Sequence, residues 1–294
     1  MKQYYIKLKK NKSAPLQQLL QEHLNLDNQT VHSLITCGAV WNNDKKQRIK
    51  QPHFVVSQET IVVNKPAFPV KPYPFQEQDI LFEDKWLFVI YKQPLFPTVP
   101  TPYSDINSLV YGLNQYLQTR QGKFPARAFA VNRLDLSTSG LVLLAKDKQT
   151  EAGLHALFKQ RRIRKWYLVK TAILEQPEDR YVLEDELQWK EKKRHAKTVV
   201  TFCKHTADNS FFLARPLTGR THQIRKHFAA YVAPVYGDDV YGPYTWDEEL
   251  GLLCCGYIFY HPVTGEKMVI KHLPAAWRQA LEWGNYSVLE SVSQ

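Results

Sequence analysis

The most informative pattern in the chain is Asn132-Arg133-Leu134-Asp135-Leu136-Ser137-Thr138-Ser139-Gly140, which continues as Leu141-Val142-Leu143-Leu144-Ala145. Its second part is short and entirely apolar, which is typical of a strand buried on both faces. Its first part places Asp135 between an arginine and a run of hydroxyl side chains, at the mouth of that strand. Hydroxyls and an arginine can keep a carboxylate ionised, ready to act as a nucleophile or a base. The alternative is a loop aspartate that only caps a turn.

A strongly basic segment lies further along the chain: Leu217-Thr218-Gly219-Arg220-Thr221-His222-Gln223-Ile224-Arg225-Lys226-His227. Its cations can bind phosphates, and one of its arginines can instead pair with a buried acid. His222 and His227 are five residues apart, which does not suit a metal-binding helix face, so we expect no metal site here. The alternative is the basic, solvated start of a helix.

A third segment, Lys159-Gln160-Arg161-Arg162-Ile163-Arg164-Lys165-Trp166-Tyr167, combines cations with two aromatic side chains. Cations neutralise phosphates and an aromatic face stacks on an unpaired base, so the pattern favours nucleic-acid binding. A basic helix end that complements its own dipole would explain the charges but not Tyr167.

Composition supports a polyanionic partner. The 294-residue chain has a formal net charge of +11 and a pI near 9.3. Nucleic acid is the commonest such partner, and an anionic membrane surface is the main alternative. No segment approaches the roughly 20 apolar residues of a membrane span, and no leader sequence is evident. The 4 cysteines lack zinc-site spacing. We therefore expect a cytoplasmic protein with reduced thiols and no membrane association.

The chain is predicted to contain two domains. In residues 1–65, apolar side chains at helical spacing begin after Pro15, and a second helical pattern ends at Gly38. Short β-like runs follow, and this stretch resembles a degenerate S4-type RNA-binding domain. Four prolines between Pro66 and Pro74 predict a stiff connector over residues 66–77. Residues 78–294 then form the larger domain.

The larger domain alternates strands and helices irregularly. Residues 79–90 read as two short strands around a polar turn, residues 109–117 and 150–159 as helices, and residues 166–169 as another strand. This order favours an α+β fold with a mixed sheet and flanking helices. The sequence lacks both the Gly-x-Ser-x-Gly elbow of hydrolases and a glycine-rich phosphate loop.

Five ordered stretches resemble the RluA-type pseudouridine synthase family, over roughly residues 78–277. Residues 132–141 are similar to His-Arg-Leu-Asp-x-x-Thr-Ser-Gly-Leu, and residues 165–167 to Lys-x-Tyr. Residues 218–225 reproduce the third motif, 236–242 resemble Gly-Asp-x-x-Tyr-Gly, and 261–266 resemble His-Pro-x-Thr-Gly-Glu. The resemblance implies a long, mixed, mostly antiparallel sheet with a central RNA-binding cleft. It also implies isomerisation of uridine to pseudouridine without a cofactor or metal.

By this resemblance Asp135 is the essential carboxylate acting at the ribose, either by adding to C1′ or by removing a C2′ proton. Tyr167 lies against the target base and helps to deprotonate C5. Arg225 forms the ion pair that orients Asp135, and Arg133 fills the gap left by the flipped uridine. The other side chains expected at the RNA are Asn132, Arg220, His222, Gln223 and Lys165.

The chain departs from the family pattern at three positions. Asn132 replaces the usual His, so we expect altered loop packing or RNA contact; Val169 replaces a frequent Ala, and Lys226 a commonly apolar residue. We expect a monomer that acts on structured ribosomal or transfer RNA. The alternative is a catalytically idle RNA-binding or ribosome-assembly protein on the same scaffold.

Overall fold

The computed structural model describes residues 2–8, 13–67, 69–121, 127–189, 192–244 and 248–281. The chain forms two compact units. One consists of Met1–Phe75 with Val99–Pro125, and the other of Gln76–Thr98 with Ala126–Gln294. The predicted boundary at residues 66–77 therefore differs from the observed division, because residues 99–125 return to the amino-terminal unit. Residues 282–294 of the predicted larger domain lie outside the described residues.

The amino-terminal unit contains two short helices, a longer helix and a 4-stranded sheet of order β1-β6-β3-β4 within its described part. Its elements are β1 (Lys2–Lys7), β2 (Ala14–Pro15), α1 (Leu16–Leu24), α2 (Asn28–Thr36), β3 (Val40–Asn42), β4 (Gln47–Arg48), β5 (Val55–Val56), β6 (Thr60–Lys65) and α3 (Leu109–Gln121). The two predicted early helices are confirmed. Leu16, Leu20, Val31 and Ile35 are fully buried between them and the sheet, and Asp27 caps α2 by accepting from the Thr30 amide at 2.8 Å.

The proline-rich stretch is not a free connector. Tyr73 is buried, and its amide donates to the Ile106 carbonyl at 2.9 Å. Val70 packs against the apolar core of the amino-terminal unit. The stretch is therefore part of that unit as far as Phe75, because its apolar side chains bind there although its prolines keep the backbone extended.

The larger unit is built on a 10-stranded sheet within the described residues, of order β12-β13-β14-β11-β15-β10-β8-β7, with β16 beside β15 and β9 beside β10. Its elements are β7 (Ile80–Glu83), β8 (Leu87–Lys92), β9 (Phe129–Ala130), β10 (Ser139–Ala145), α4 (Lys148–Lys159), β11 (Arg164–Ala172), β12 (Arg180–Trp189), β13 (Lys192–His205), β14 (Asn209–Pro216), α5 (Gln223–Tyr231), β15 (Leu252–Tyr260), β16 (Lys267–Lys271) and α6 (Ala275–Ala280). Its pairs are antiparallel except β10 with β15. The predicted α+β class with a mixed, mostly antiparallel sheet is confirmed.

The junction of β10 and β15 positions the loop that carries Asp135. Every residue of β10 is buried, as its apolar sequence predicts. Gly140 has a φ of +114° and pairs with Cys254, and a side chain at Gly140 would overlap the Cys254 backbone. The close parallel contact therefore requires glycine, and it fixes where the 132–139 loop leaves the sheet.

Candidate active site

A cleft of about 330 Å³ opens where the 132–139 loop, strand β11 and the start of α5 meet. Three residues from distant parts of the sequence, Asp135, Tyr167 and Arg225, share its wall. The other lining residues are Arg133, Leu134, Thr138, Lys165, Pro216, Thr218, Gly219, Arg220, Thr221, His222, Gln223, Ile224 and Leu252. The fold thus brings the first three predicted motifs to one surface.

Asp135 lies at the mouth of this cleft with about a third of its side chain exposed (32%). Its carbonyl accepts from the Thr138 amide at 3.1 Å, which closes the loop into a turn. His222 Nε2 lies 3.9 Å from Asp135 Oδ1. Burial lowers the pKa of His222, although Asp135 opposes this shift, so the imidazole is mainly neutral at neutral pH.

Arg225 is buried, and its main partner differs from the one predicted. Nε donates to Asp238 Oδ2 at 2.7 Å and Nη2 to Oδ1 at 2.5 Å, while Asp239 Oδ1 lies 3.7 Å away. The expected ion pair with Asp135 is therefore replaced by a bidentate pair with Asp238. Burial opposes the charged form of the guanidinium, but the hydrogen bonds and charge of Asp238, together with the charge of Asp135, raise the pKa of Arg225 above its ordinary value.

Asp238 also shapes the fourth motif. Oδ1 accepts from the backbone amides of Val240 and Tyr241, each at 3.0 Å. The preceding Gly237 has a φ of +71°, which allows the tight turn. The sequence pattern did not identify Asp238 as a site residue, because its arginine partner is 13 residues away along the chain. The Tyr241 hydroxyl lies 3.0 Å from His222 Nδ1, so this turn also supports the imidazole beside Asp135.

Tyr167 enters the cleft from β11 at an irregularity in the sheet. The pairing with β15 shifts between Trp166 and Tyr167, and such bulges re-aim side chains. Burial raises the pKa of Tyr167 well above its ordinary value, with Cys254 and Asp135 adding to the shift. The resting side chain is therefore a neutral phenol.

Lys92 is a site residue that sequence reasoning missed. It is fully buried at the end of β8, and Nζ donates to the carbonyls of Gln93 at 2.8 Å, Phe96 at 2.8 Å and Leu136 at 3.1 Å. It therefore ties β8 to the residue that follows Asp135. Burial lowers its pKa to about 7, and Asp135 opposes this shift. The sequence did carry one signal for this site residue, namely a lysine at the end of an otherwise apolar strand.

The remaining predicted RNA contacts divide into two groups. Arg133 is exposed and lines the cleft together with Lys165 and Arg220. Asn132 and Gln223 instead use their amides internally. Gln223 Oε1 accepts from the Thr218 hydroxyl at 2.7 Å and from the Arg220 amide at 3.0 Å, so it holds the loop before α5. Asn132 lines the second cleft and Gln223 the first, and both amides also support the loops that form these clefts.

A second, larger cleft of about 700 Å³ continues from the first. The two share Arg133, Lys165, Tyr167 and Arg220. The second adds further cationic side chains from the end of α4, β11 and β14: Lys159, Arg161, Arg164 and Arg215. Because these lie along one surface, the combined groove suits a polyanion.

The fifth motif does not line either cleft. His261 Nδ1 accepts from the amides of Val263 and Thr264, at 3.2 and 3.0 Å, and Nε2 lies 3.2 Å from Asp84 Oδ2. This motif therefore forms the turn between β15 and β16. Among the described residues there is no cluster of three or more candidate metal ligands. None of the helices in the described ranges has the length and apolarity to cross a membrane.

Comparisons with known proteins agree with this geometry. The family model described as RNA pseudouridylate synthase matches residues 86–230. An uncharacterized RNA pseudouridine synthase of Mycoplasma pneumoniae is 31% identical over 239 residues, covering 74% of this chain and 74% of that protein. The ribosomal large subunit pseudouridine synthase D of Xylella fastidiosa is 34% identical over 176 residues, covering 56% of this chain and 51% of that protein.

The fold is also found among solved structures. The human RNA pseudouridylate synthase domain containing 4 protein has a TM-score of 0.58 and 21% identity, covering 70% of this chain and 92% of that one. At this identity the likeness concerns the fold alone. The sequence relatives, the matched family model and the cleft together show that this chain belongs to the RluA-type family of RNA pseudouridine synthases, which are isomerases that act on RNA.

Proposed function

We propose that this protein converts specific uridines of structured ribosomal or transfer RNA to pseudouridine, with Asp135 as the carboxylate that acts at the ribose. The convergence of Asp135 and Tyr167 in one basic cleft carries this proposal. The relative from Xylella fastidiosa is named for the large ribosomal subunit, which supports ribosomal RNA. The family resemblance supports both RNA classes.

The reaction breaks the bond from C1′ to N1, turns the uracil, and joins C1′ to C5. N1 then gains a proton and C5 loses one, so atoms balance without a redox partner. Asp135 serves either by adding to C1′ or by removing a C2′ proton, and its exposure at the cleft mouth suits both routes. As a resting neutral phenol, Tyr167 first packs against the uracil, and it assists the loss of the C5 proton after the base has turned.

Arg225 acts in this proposal by fixing the cleft and by its charge. Its bidentate pair with Asp238 locks the 236–242 turn against α5. Its charge also interacts with Asp135, which contributes to the raised pKa of the guanidinium. Lys92 donates a hydrogen bond to the Leu136 carbonyl and so constrains the 132–139 loop that carries Asp135. Asp135 is thus positioned mainly by its loop and its electrostatic surroundings.

The second cleft is proposed to hold the RNA strand beside the flipped uridine. Arg161, Arg164 and Arg215 supply charge for neighbouring phosphates, and the exposed Arg133 stands between the two clefts. In that position Arg133 replaces the extruded base in the stack. We propose Lys165 and Arg220, shared by both clefts, as phosphate contacts for the target nucleotide.

The amino-terminal unit is proposed as an S4-like RNA-binding module. Its β3–β4 turn exposes Lys45 and Lys46, which can add phosphate contacts outside the cleft. We also propose that the protein is a monomer and that it acts in the cytoplasm, where ribosomal and transfer RNA are located.

Mapping pseudouridines in total RNA tests the proposal. Cells lacking the gene should lose one or a few pseudouridines, and the wild-type gene should restore them. The Asp135→Asn gene should not, whereas Asp208→Asn, the same change at an exposed position in the β13–β14 turn, should restore them fully. An unchanged pseudouridine map in the deletion strain would refute the proposed activity, and the identity of the lost sites names the substrate.

A further inference from the structure

A row of polar side chains lies beneath the cleft, inside the sheet. This row runs from Asn132, through Tyr257 and Cys254 on β15, to Tyr167 on β11. Cys254 and Tyr257 are fully buried. Neither lines the cleft, yet the row joins the segment that carries Asp135 to the aromatic side chain expected at the base.

A sheet irregularity creates this row. Residues three apart on a regular strand point to opposite faces. In the pairing of β11 with β15, however, Trp166 lies opposite Gly256 while Tyr167 lies opposite Cys254. The intervening Cys255 is therefore an extra residue of a β-bulge. Because of it, Cys254 and Tyr257 point to the same face.

The hydrogen bonds within the row converge on Tyr257 Oη. The Cys254 thiol donates to Tyr257 Oη at 3.4 Å, and Tyr257 Oη donates to the Leu141 carbonyl at 2.9 Å. Asn132 Nδ2 also donates to Tyr257 Oη at 2.8 Å. Asn132 Oδ1 in turn accepts from the Leu143 amide at 2.9 Å. The Tyr257 hydroxyl thus gives its single proton and accepts twice, which leaves it one orientation.

Tyr167 stands at the end of the row. It lies opposite Cys254 in the pairing of β11 with β15, and Cys254 adds to the rise in the pKa of the phenol. With the thiol proton directed at Tyr257, the lone pairs of the Cys254 sulfur are left to accept from a neighbouring donor, and Tyr167 is the residue opposite it on β11. The buried side chains of Cys254 and Tyr257 therefore contribute to the position of the Tyr167 phenol in the cleft.

We propose that Asn132, Tyr257 and Cys254 are positioning residues that hold the Tyr167 phenol in register with Asp135 during isomerisation. This inference rests on the proposed function, because it assigns Tyr167 a place against the uracil. It also accounts for Asn132 where the family pattern has His. The short Asn132 side chain bonds both the Leu143 backbone amide and the Tyr257 hydroxyl. The replacement of the family's His by Asn is therefore explained by contacts within this row.

Fluorine NMR tests the positioning without any turnover. The 19F resonance of 3-fluorotyrosine placed at position 167 should shift or broaden in Tyr257→Phe, which removes one hydroxyl and keeps the ring. It should also change in Asn132→Asp, which keeps the acceptor and loses the donor to Tyr257. Tyr260→Phe, the same change at an exposed position of β15, is the control and should leave the resonance unchanged. An unchanged resonance in both buried variants would overturn the proposal.

Kinetics test whether the positioning matters to the reaction. At saturating RNA, Tyr257→Phe should slow the single-turnover rate about tenfold while the RNA Kd changes by less than about twofold. Cys254→Ala should slow the rate similarly, and Cys254→Ser, which retains a donor and acceptor, should recover most of it. An unaltered rate beside a shifted resonance would refute the catalytic role. If the wild-type protein made no pseudouridine, the proposed function would fail, and the fluorine spectra would still decide the positioning.

Discussion

Arg225 binds Asp238 through two charge-assisted hydrogen bonds, from Nε to Oδ2 at 2.7 Å and from Nη2 to Oδ1 at 2.5 Å. Both side chains are buried. The arginine of the third motif, Arg225, is thus paired with Asp238 of the fourth motif. Asp135 remains partly exposed at the mouth of the cleft. The carboxylate proposed to act on the ribose is held by its loop, by Lys92 through Leu136, and by the surrounding charge.

Breaking the Arg225–Asp238 pair should destabilise the protein and slow turnover. Arg225→Met should lower the free energy of unfolding by about 3–5 kcal/mol, because it leaves the Asp238 carboxylate buried without its main partner. Asp238→Asn alone should lower the free energy of unfolding by less, since the asparagine amide keeps one oxygen that can accept from Arg225. Urea unfolding of both single variants and the double variant measures the coupling. Additive effects would show that the two side chains do not depend on each other. Glu151→Gln, in the exposed pair with Lys148, should change stability by less than about 0.5 kcal/mol.

Asp135→Asn should abolish isomerisation and leave RNA binding largely intact. The amide keeps the size of the side chain, but it cannot act as a nucleophile or a base. Pseudouridine formation on a target RNA and the Kd for the same RNA measure the two effects separately. Wild-type turnover in this variant would remove Asp135 from the chemistry. Asp208→Asn should match the wild type in both assays.

Lys92 should give stability a dependence on pH above about 7. Its folded pKa of about 7 lies below the ordinary lysine value of about 10.4, so the folded chain binds fewer protons than the unfolded chain between these values. The free energy of unfolding therefore gains up to about 1.4 kcal/mol per pH unit from this group as pH rises. Urea unfolding at about pH 7 and pH 8 should show this rise in the wild type and a smaller one in Lys92→Met. The exposed Lys85→Met should keep the wild-type slope, and an equal slope in Lys92→Met would contradict the assignment.

The second cleft should control RNA affinity and its salt dependence. Arg161→Gln combined with Arg215→Gln should weaken binding, and the slope of log K against log salt should fall by about 0.7 for each lost contact with single-stranded RNA. Titrations over a range of salt concentrations measure both effects. Lys148→Gln removes one charge at a position outside the cleft lining and should leave the slope unchanged. A slope that the arginine changes did not alter would exclude this cleft as the path of the strand.

The amino-terminal unit is better tested by point substitutions than by deletion. Removing residues 1–65 would also expose the apolar surface that packs on Ile106, since residues 99–125 belong to the same unit. Lys45→Gln with Lys46→Gln should reduce RNA affinity about fivefold at low salt and leave the rate at saturating RNA unchanged. Lys267→Gln on β16 serves as the charge control. Unchanged affinity in the double variant would argue against an RNA contact at this turn.

Local sequence predicted much of the architecture. The helical spacing of α1 and α2, the apolar run of β10 and the short strands β7 and β8 were each readable, because burial of one face dictates the pattern. The connector was the main error in organisation. Its prolines indicated an extended backbone, but no local pattern shows that Tyr73 packs beside Ile106.

At the site, the motifs around Asp135, Tyr167 and Arg225 were recognisable in the amino-acid sequence, because they supply the residue types that the chemistry needs. How these side chains are paired became visible in the folded structure alone. The commitment of Arg225 to Asp238, the anchoring of Leu136 by Lys92 and the bulge at Cys255 each depend on atoms distant in sequence. Hydrogen bonds and ion pairs depend on distances of a few ångströms between such atoms, and those distances exist only once the sheet has set the register of its strands.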